Sequence, residues 1–136
     1  VKFSAKSENE SLARVIVASF AAKLDPTIDE LSDIKTAVSE AVTNAIIHGY
    51  EEDETKFVHM RCELIENTIK IVIEDYGKGI ADIEEARQPM FTSKPELERS
   101  GMGFSFMESF MDDMQVASIV GEGTKVIMTK TIEIPK

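Results

Sequence analysis

An alternating apolar strand that ends on a carboxylate occupies residues 68–79, TIKIVIEDYGKG. The three isoleucines share one face of this strand, because side chains alternate with a period of two. Asp75 closes the strand, and Gly77 and Gly79 follow at alternate positions. Such glycines allow a backbone to approach a flat ligand closely, although an aspartate here is also a common turn former. The stretch predicts a half-buried strand that leads into a candidate binding turn.

Further strands and helices are predicted on both sides of this stretch. Period-two patterns predict strands at 1–5, 57–65, 115–119 and 125–132. Apolar residues with a period of 3.6 predict helices at 7–24, 27–49, 82–87 and 103–111. The strands are joined by hairpins more than by crossovers, which disfavours a parallel sheet. We therefore expect one α/β (α+β) domain over residues 1–136. It is a two-layer sandwich of a mixed, mostly antiparallel sheet with helices on one face.

Short polar signals mark the ends of the first two helices. Ser7 and Glu10 have the spacing of a capping box, and so do Thr27 and Glu30. Gly49 closes the long second helix and is expected to be a C-cap residue with positive φ, which costs glycine nothing. These signals predict two well-capped helices that precede the central strands.

Composition excludes several classes of protein. The 136 residues contain 15 Lys and Arg against 25 Asp and Glu, a formal net charge of −10 at pH 7. Proteins that coat nucleic acid or anionic membranes need the opposite balance, so we expect no direct contact with either. Cys62 is the single cysteine, which excludes an internal disulfide and a cysteine-based zinc site. No apolar run approaches the roughly 18 residues of a membrane span, and a cytoplasmic location is expected.

A polar stripe is predicted on the second helix. Glu40, Asn44 and His48 follow one another at four-residue spacing and should share one side of the helix. Carboxylate and carboxamide oxygens are suitable ligands for a hard cation, and the carboxylate is also a candidate base. The alternative is an ordinary solvated stripe. For His48 we expect a structural or solvent-facing role rather than a catalytic one.

Two further glycine pairs lie nearer the carboxyl end. Residues 100–103, SGMG, open the last predicted helix, where free backbone N–H groups and the helix dipole favour phosphate. Flexible turn glycines would explain this pair equally well. Residues 121–124, GEGT, are adequately explained as a hairpin turn.

The order of these features resembles the four ATP-binding boxes of the GHKL superfamily, which includes gyrase, MutL and the histidine kinases. The resemblance covers almost the whole chain. Two segments, EAVTNAIIHG at 40–49 and PMFTSK at 89–94, are most similar to the serine-kinase anti-sigma branch. The third box has Gly-Met-Gly-Phe where many members have Gly-Leu-Gly-Leu. Because these replacements are apolar, phosphate binding by the backbone is not affected.

The resemblance implies a role for each matched residue. Asp75 would accept the adenine amino group, Asn44 would bind Mg²⁺, and Glu40 would be the general base. The resemblance implies further contacts to the base of ATP or ADP from Gly77, Gly79 and Thr124. Contacts to the phosphates are implied for Gly101, Met102 and Gly103. A lid is implied at 88–100, and its candidate phosphate contacts are Thr92, Lys94, Arg99 and Ser100.

The resemblance also implies partners. Members of this branch inhibit a sigma factor of sporulation and phosphorylate a serine of a STAS-type anti-anti-sigma factor, and we expect a homodimer. Two alternatives stay open. One is the catalytic module of a histidine kinase, which normally follows a dimerising helical hairpin that these 136 residues do not contain. The other is a binding module that uses nucleotide without catalysis. Gyrase-like and MutL-like ATPases are disfavoured because they need a transducer domain.

Overall fold

A computed structural model describes residues 1–80 and 103–133, with the side chains of the second range described from residue 107 onward. Its five strands form one sheet in the order β1-β2-β3-β5-β4, and all four pairings are antiparallel. The strands are β1 (Lys2–Ser4), β2 (Phe57–Ile65), β3 (Thr68–Asp75), β4 (Asp113–Ile119) and β5 (Gly123–Thr131). The strand with the Asp-x-Gly-x-Gly sequence, β3, is therefore central.

Three helices in the described residues pack on one face of this sheet. They are α1 (Asn9–Ala21), α2 (Ile28–Asn44) and α3 (Gly103–Phe110). A 3-10 turn (Ala22–Leu24) continues α1, and a π turn (Ala45–Gly49) continues α2. The predicted two-layer α+β sandwich is confirmed. The helix predicted at 82–87 lies outside the described residues.

The core lies between the two layers and follows the predicted periods. On β3 the alternate isoleucines face the helices and are buried. They meet the apolar side of α2, and the largest fully buried side chains of the core include Ile34, Val38, Val42, Ile69, Ile71, Ile73, Met107 and Met128. The bounds predicted for β2 and β3 are confirmed to the residue.

The two predicted capping boxes have different outcomes. Thr27 accepts a hydrogen bond from the backbone of Glu30, whose carboxylate accepts one from the Thr27 backbone, so this box is confirmed. The box at Ser7 is wrong: α1 has Glu8 as its N-cap and no side-chain cap. Its Glu10 side chain is turned toward α2 instead, where it is buried and accepts a hydrogen bond from Ser39.

The predicted C-cap at Gly49 is also wrong. Among the described residues, the glycines with positive φ are Gly79, Gly121 and Gly123. The helix widens into a π turn at its end, and the backbone leaves it at Tyr50 with φ −105°. Gly49 is required for a different reason, a close approach of Asp75 that is described below.

No helix within residues 1–80 or 103–133 has the length and apolar character needed to cross a membrane.

The capping result predicts a contrast between two alanine variants. We expect Thr27→Ala to lower the free energy of unfolding by about 1 kcal/mol, because the hydroxyl group that accepts a hydrogen bond from the Glu30 backbone N–H at the start of α2 is lost. Ser7→Ala is the matched control, and its effect should stay below about 0.5 kcal/mol. Urea unfolding followed by circular dichroism measures both values. Equal losses would contradict the assignment.

Candidate functional site

A turn at residues 76–80 follows β3 and is held on both sides by hydrogen bonds. The Tyr76 amide donates to the Tyr50 hydroxyl at 2.7 Å, and the Lys78 amide donates to the Gly49 carbonyl at 3.1 Å. From the other side, the Gly121 amide donates to the Lys78 carbonyl at 2.7 Å. The turn therefore lies between the π turn of α2 and the β4–β5 hairpin, as a fixed wall rather than a loose loop.

The carboxylate of Asp75 is buried at the start of this turn, with 5% of the residue exposed. It accepts hydrogen bonds from the backbone N–H groups of Gly77, at 2.9 Å, and of Thr124. Burial raises the pKa of Asp75 to about 6, although both hydrogen bonds act in the opposite direction. A desolvated carboxylate with remaining lone pairs is suited to accept a neutral donor such as an amino group.

Backbone segments pack closely around Asp75. A Cβ atom on Gly49 would lie 2.7–2.8 Å from the Asp75 carboxyl group, and one on Gly77 would lie 1.9 Å from the Gly49 carbonyl oxygen. The sequence predicted that these glycines let the backbone approach a flat ligand, which stays a prediction, whereas the structure shows Gly77 packed against protein backbone. Gly79 has φ +78°, and a Cβ there would lie 2.4 Å from the Ile119 carbonyl oxygen.

Glu40 and Asn44 lie half-buried on α2, one regular helical turn apart. The Asn44 side-chain nitrogen is buried and has no hydrogen-bond partner among the described residues. A phosphate oxygen would satisfy this nitrogen, and the amide oxygen is a ligand type that Mg²⁺ accepts. Asn44 therefore fits the magnesium-nucleotide group that the sequence implies. In residues 1–80 and 103–133, no three His, Cys, Asp or Glu side chains form a metal cluster by themselves.

His48 lies half-buried in the π turn that follows α2, from Ala45 to Gly49. A turn of this kind closes over more residues than a regular α-helical turn. The regular helix carries Glu40 and Asn44, and the continuation of the stripe to His48 stays a prediction.

Thr124 lies directly opposite Asp75 in the β3–β5 register and is buried. This register places Thr124 beside Asp75, whereas the predicted contact of Thr124 with a base stays a prediction. The predicted contacts at Thr92, Lys94, Arg99, Ser100, Gly101 and Met102 lie outside the described residues. Gly103 begins α3 as predicted.

Two hydroxyl groups that support the turn were missed by the sequence analysis. Tyr50 is buried, donates to the Phe57 carbonyl at 2.7 Å and accepts from the Tyr76 amide; burial is the largest cause of its raised pKa. Ser118 on β4 accepts from the Ile80 amide at 2.7 Å. No local motif marks either residue, because their partners are distant in sequence.

A polar contact beside Glu40 was also missed. Glu10 of α1 accepts a hydrogen bond from Ser39 of α2, and the Arg14 Nε atom lies 3.3 Å from the same carboxylate. Ser39 immediately precedes Glu40, so this contact connects α1 to the helical turn that carries the candidate base.

The chain belongs to the histidine kinase-like ATPase domain family, whose model matches residues 3–130, and its fold is the one expected of that family. Two solved structures share the fold. The RsbU and RsbW domains of a Mycobacterium tuberculosis protein have a TM-score of 0.69 and 17% identity, over 97% of this chain and 31% of that chain. A histidine kinase domain from Erythrobacter litoralis EL346 has a TM-score of 0.57 and 20% identity, over 78% and 46%.

Curated relatives narrow the class. An anti-sigma F factor of Clostridium perfringens is 63% identical over 130 residues, which cover 96% of this chain and 93% of the relative. An anti-sigma F factor of Anoxybacillus flavithermus is 60% identical over 130 residues, 96% of this chain and 89% of that protein. The chain therefore belongs to the anti-sigma F factor family. The resemblance to the anti-sigma branch is confirmed, and the histidine-kinase module loses its support.

The packing of the turn predicts an order of stability for two alanine variants. Gly77→Ala should lower the free energy of unfolding by about 3 kcal/mol, because the new methyl group overlaps the Gly49 carbonyl. Gly121→Ala is the matched control: its φ is +83° but no atom lies within 4 Å of the added Cβ, so the loss should be about 1 kcal/mol. Urea titration measures the free energy of unfolding of both variants. A smaller loss for Gly77→Ala than for Gly121→Ala would contradict the close contact between Gly77 and the Gly49 carbonyl.

The raised pKa of Asp75 predicts a pH-dependent stability difference between wild type and Asp75→Asn. The ordinary pKa of an aspartate is 3.8, against about 6 for Asp75 in the folded chain, so between these values the folded state binds more protons than the unfolded state. A rise of pH through this window therefore favours the unfolded state. Wild type should lose stability relative to Asp75→Asn as pH rises from about 4 through the folded pKa of about 6, and the difference should level off above about pH 7. Urea unfolding of both proteins across this range measures the difference; a constant difference would contradict the shift.

Proposed function

We propose that this protein binds a sigma factor in an inhibited complex and is a Mg-ATP-dependent serine kinase of a STAS-type anti-anti-sigma factor. The observation that carries the proposal is the buried carboxylate of Asp75 beside Thr124, in a chain 63% identical to an anti-sigma F factor. The buried pair supports adenine binding, and the relatives support the sigma partner.

Adenine nucleotide is the ligand that this site suits best. The base amino group would donate to Asp75, whose two backbone hydrogen bonds leave lone pairs for a further donor. At the phosphates, Asn44 offers one unsatisfied donor and one oxygen ligand. The residues implied at 92, 94 and 99–103 would complete the phosphate contacts through the lid and the start of α3.

Glu40 is the proposed general base for phosphoryl transfer. The oxygen of the substrate serine attacks the γ-phosphorus, the bond from that phosphorus to the bridging oxygen breaks, and ADP leaves. Glu40 accepts the serine proton. Magnesium supplies charge neutralisation for the phosphates. On α2, the position of Glu40 one turn before Asn44 supports this division of roles.

Charge supports a basic partner. The net charge of −10 favours association with a protein that itself binds DNA, as a sigma factor does. In the proposed cycle, the unphosphorylated anti-anti-sigma factor releases sigma, and phosphorylation of its serine restores inhibition. Because a sigma factor acts on cytoplasmic RNA polymerase, the proposal places this protein in the cytoplasm.

A homodimer is part of the proposal, as the anti-sigma resemblance implies. The sheet face opposite the helices offers apolar surface for such a contact. Phe57, Ile65 and Ile119 lie on that face with 44%, 54% and 60% of each residue exposed. A contact on this face would remove these three apolar side chains from water, although they lie at the two ends of β2 and on β4 rather than in one patch.

The remaining alternative is a member that binds nucleotide and sigma without phosphoryl transfer. Glu40 discriminates between the two, since a purely binding member does not need a base at this position.

The proposal predicts that Glu40→Gln separates catalysis from binding. Transfer of radiolabelled γ-phosphate to a STAS-domain protein should fall at least about a hundredfold, because the proton acceptor is lost. ADP affinity measured by calorimetry and the complex with sigma on a sizing column should be retained. Asp75→Asn should instead weaken ADP binding more than about tenfold.

Glu66→Gln is the matched control, because Glu66 lies exposed at the far end of β3 from Asp75. It should keep transfer and binding at the wild-type level. Undiminished transfer by Glu40→Gln would overturn the base assignment, and no transfer by wild type would favour the purely binding alternative. Failure of wild type to form a sigma complex with either ATP or ADP would overturn the sigma partner.

A further inference from the structure

The hydroxyl group of Ser118 has three polar neighbours. Its Oγ atom lies 2.9 Å from the Gly123 carbonyl oxygen, 2.7 Å from the Ile80 amide nitrogen and 2.8 Å from the Thr124 hydroxyl. A serine hydroxyl has one proton and two lone pairs, so these three contacts use its full capacity.

The chemistry of the neighbours determines the direction of each hydrogen bond. The Gly123 carbonyl can only accept, so it takes the proton of Ser118. The Ile80 amide can only donate, and it occupies one lone pair. The contact with Thr124 is then possible only if the Thr124 hydroxyl donates to the second lone pair.

Thr124 is left with lone pairs alone toward the rest of the site. Its single proton is used on Ser118, and it lies opposite Asp75 on the same sheet face. The Asp75 carboxylate accepts the Thr124 backbone N–H and is itself an acceptor. Two neighbouring buried side chains therefore present acceptors only.

We propose that Ser118 is a specificity-determining positioning residue, which orients the Thr124 proton so that the site accepts a base carrying a 6-amino group and rejects one carrying a 6-oxo group. The inference rests on the adenine site proposed above. Without Ser118, the Thr124 hydroxyl can rotate and donate to a 6-oxo oxygen, so that discrimination falls. A residue that merely supports the Ile80 turn would affect both kinds of base equally.

The test compares ADP with inosine diphosphate, which carries the 6-oxo group, by calorimetry on Ser118→Ala. The ratio of the two dissociation constants should move toward unity by about tenfold, the equivalent of one hydrogen bond. Ser118→Thr keeps the hydroxyl and should restore the wild-type ratio. Ser19→Ala is the matched control, because Ser19 is exposed on α1 and bonds only its own helix in the described residues.

Two further variants keep the test decisive. Ser118→Cys preserves the shape with a weak hydrogen-bonding group, and it should shift the ratio even if the alanine variant does not fold. In a Thr124→Val background, Ser118→Ala should leave the ratio unchanged, because no hydroxyl proton remains to orient. In the nucleotide-free protein, Ser118→Ala should also speed hydrogen exchange at the Ile80 amide.

The outcomes distinguish a failure of the Ser118 inference from a failure of the proposed adenine site. An unchanged ratio in the folded Ser118→Ala or Ser118→Cys protein overturns the role of Ser118, and so does an equal shift in the Thr124→Val background. If wild type binds neither diphosphate, the adenine site itself is overturned.

Discussion

Removing the Asp75 carboxylate from water is the constraint on which this arrangement depends. Such burial costs free energy unless hydrogen bonds replace water, and here two backbone N–H groups do so. To supply the first, the chain must fold back at Gly77, which is possible only because neither Gly77 nor Gly49 has a side chain. To supply the second, β5 must keep Thr124 in register with Asp75. The π turn, the turn at 76–80 and the sheet register thus all contribute to the burial of the Asp75 carboxylate.

Rigid elements rather than mobile loops form this part of the site. The turn after β3 is bonded to the end of α2 on one side and to the β4–β5 hairpin on the other. At the two ends of the turn, the hydroxyl groups of Tyr50 and Ser118 accept hydrogen bonds from the Tyr76 and Ile80 amides. A site that is ordered before its ligand arrives loses less conformational entropy on binding.

Periodicity predicted most of the fold, and the order of motifs along the chain singled out Asp75, Gly77 and Thr124, which the structure places next to one another. The period of two identified β2 and β3 and the buried face of the β3 isoleucines, because a slip of one residue would expose these side chains. The capping box predicted at Ser7 was wrong because the Glu10 side chain does not bond the backbone at the start of α1. It accepts a hydrogen bond from Ser39 on α2 instead. The support that Tyr50 and Ser118 give to the turn was not predictable, since Tyr76 and Ile80 lie 26 and 38 residues away from them and no spacing rule connects these pairs. The role of Gly49 was not predictable for the same reason. Glycine is needed there because the Asp75 carboxyl group, from a distant part of the sequence, lies where a side chain would be.

The contact between Glu10 and Ser39 constrains how this chain can evolve. Both groups lie in the interface of α1 and α2, so replacing either one alone leaves a polar partner without its hydrogen bond, at a cost of about 1–3 kcal/mol. An apolar pair of similar volume would avoid that cost, but it requires two substitutions at positions 29 residues apart. A single substitution at either site therefore destabilises the interface of α1 and α2, and the helical turn before Glu40 depends on α1 for this contact.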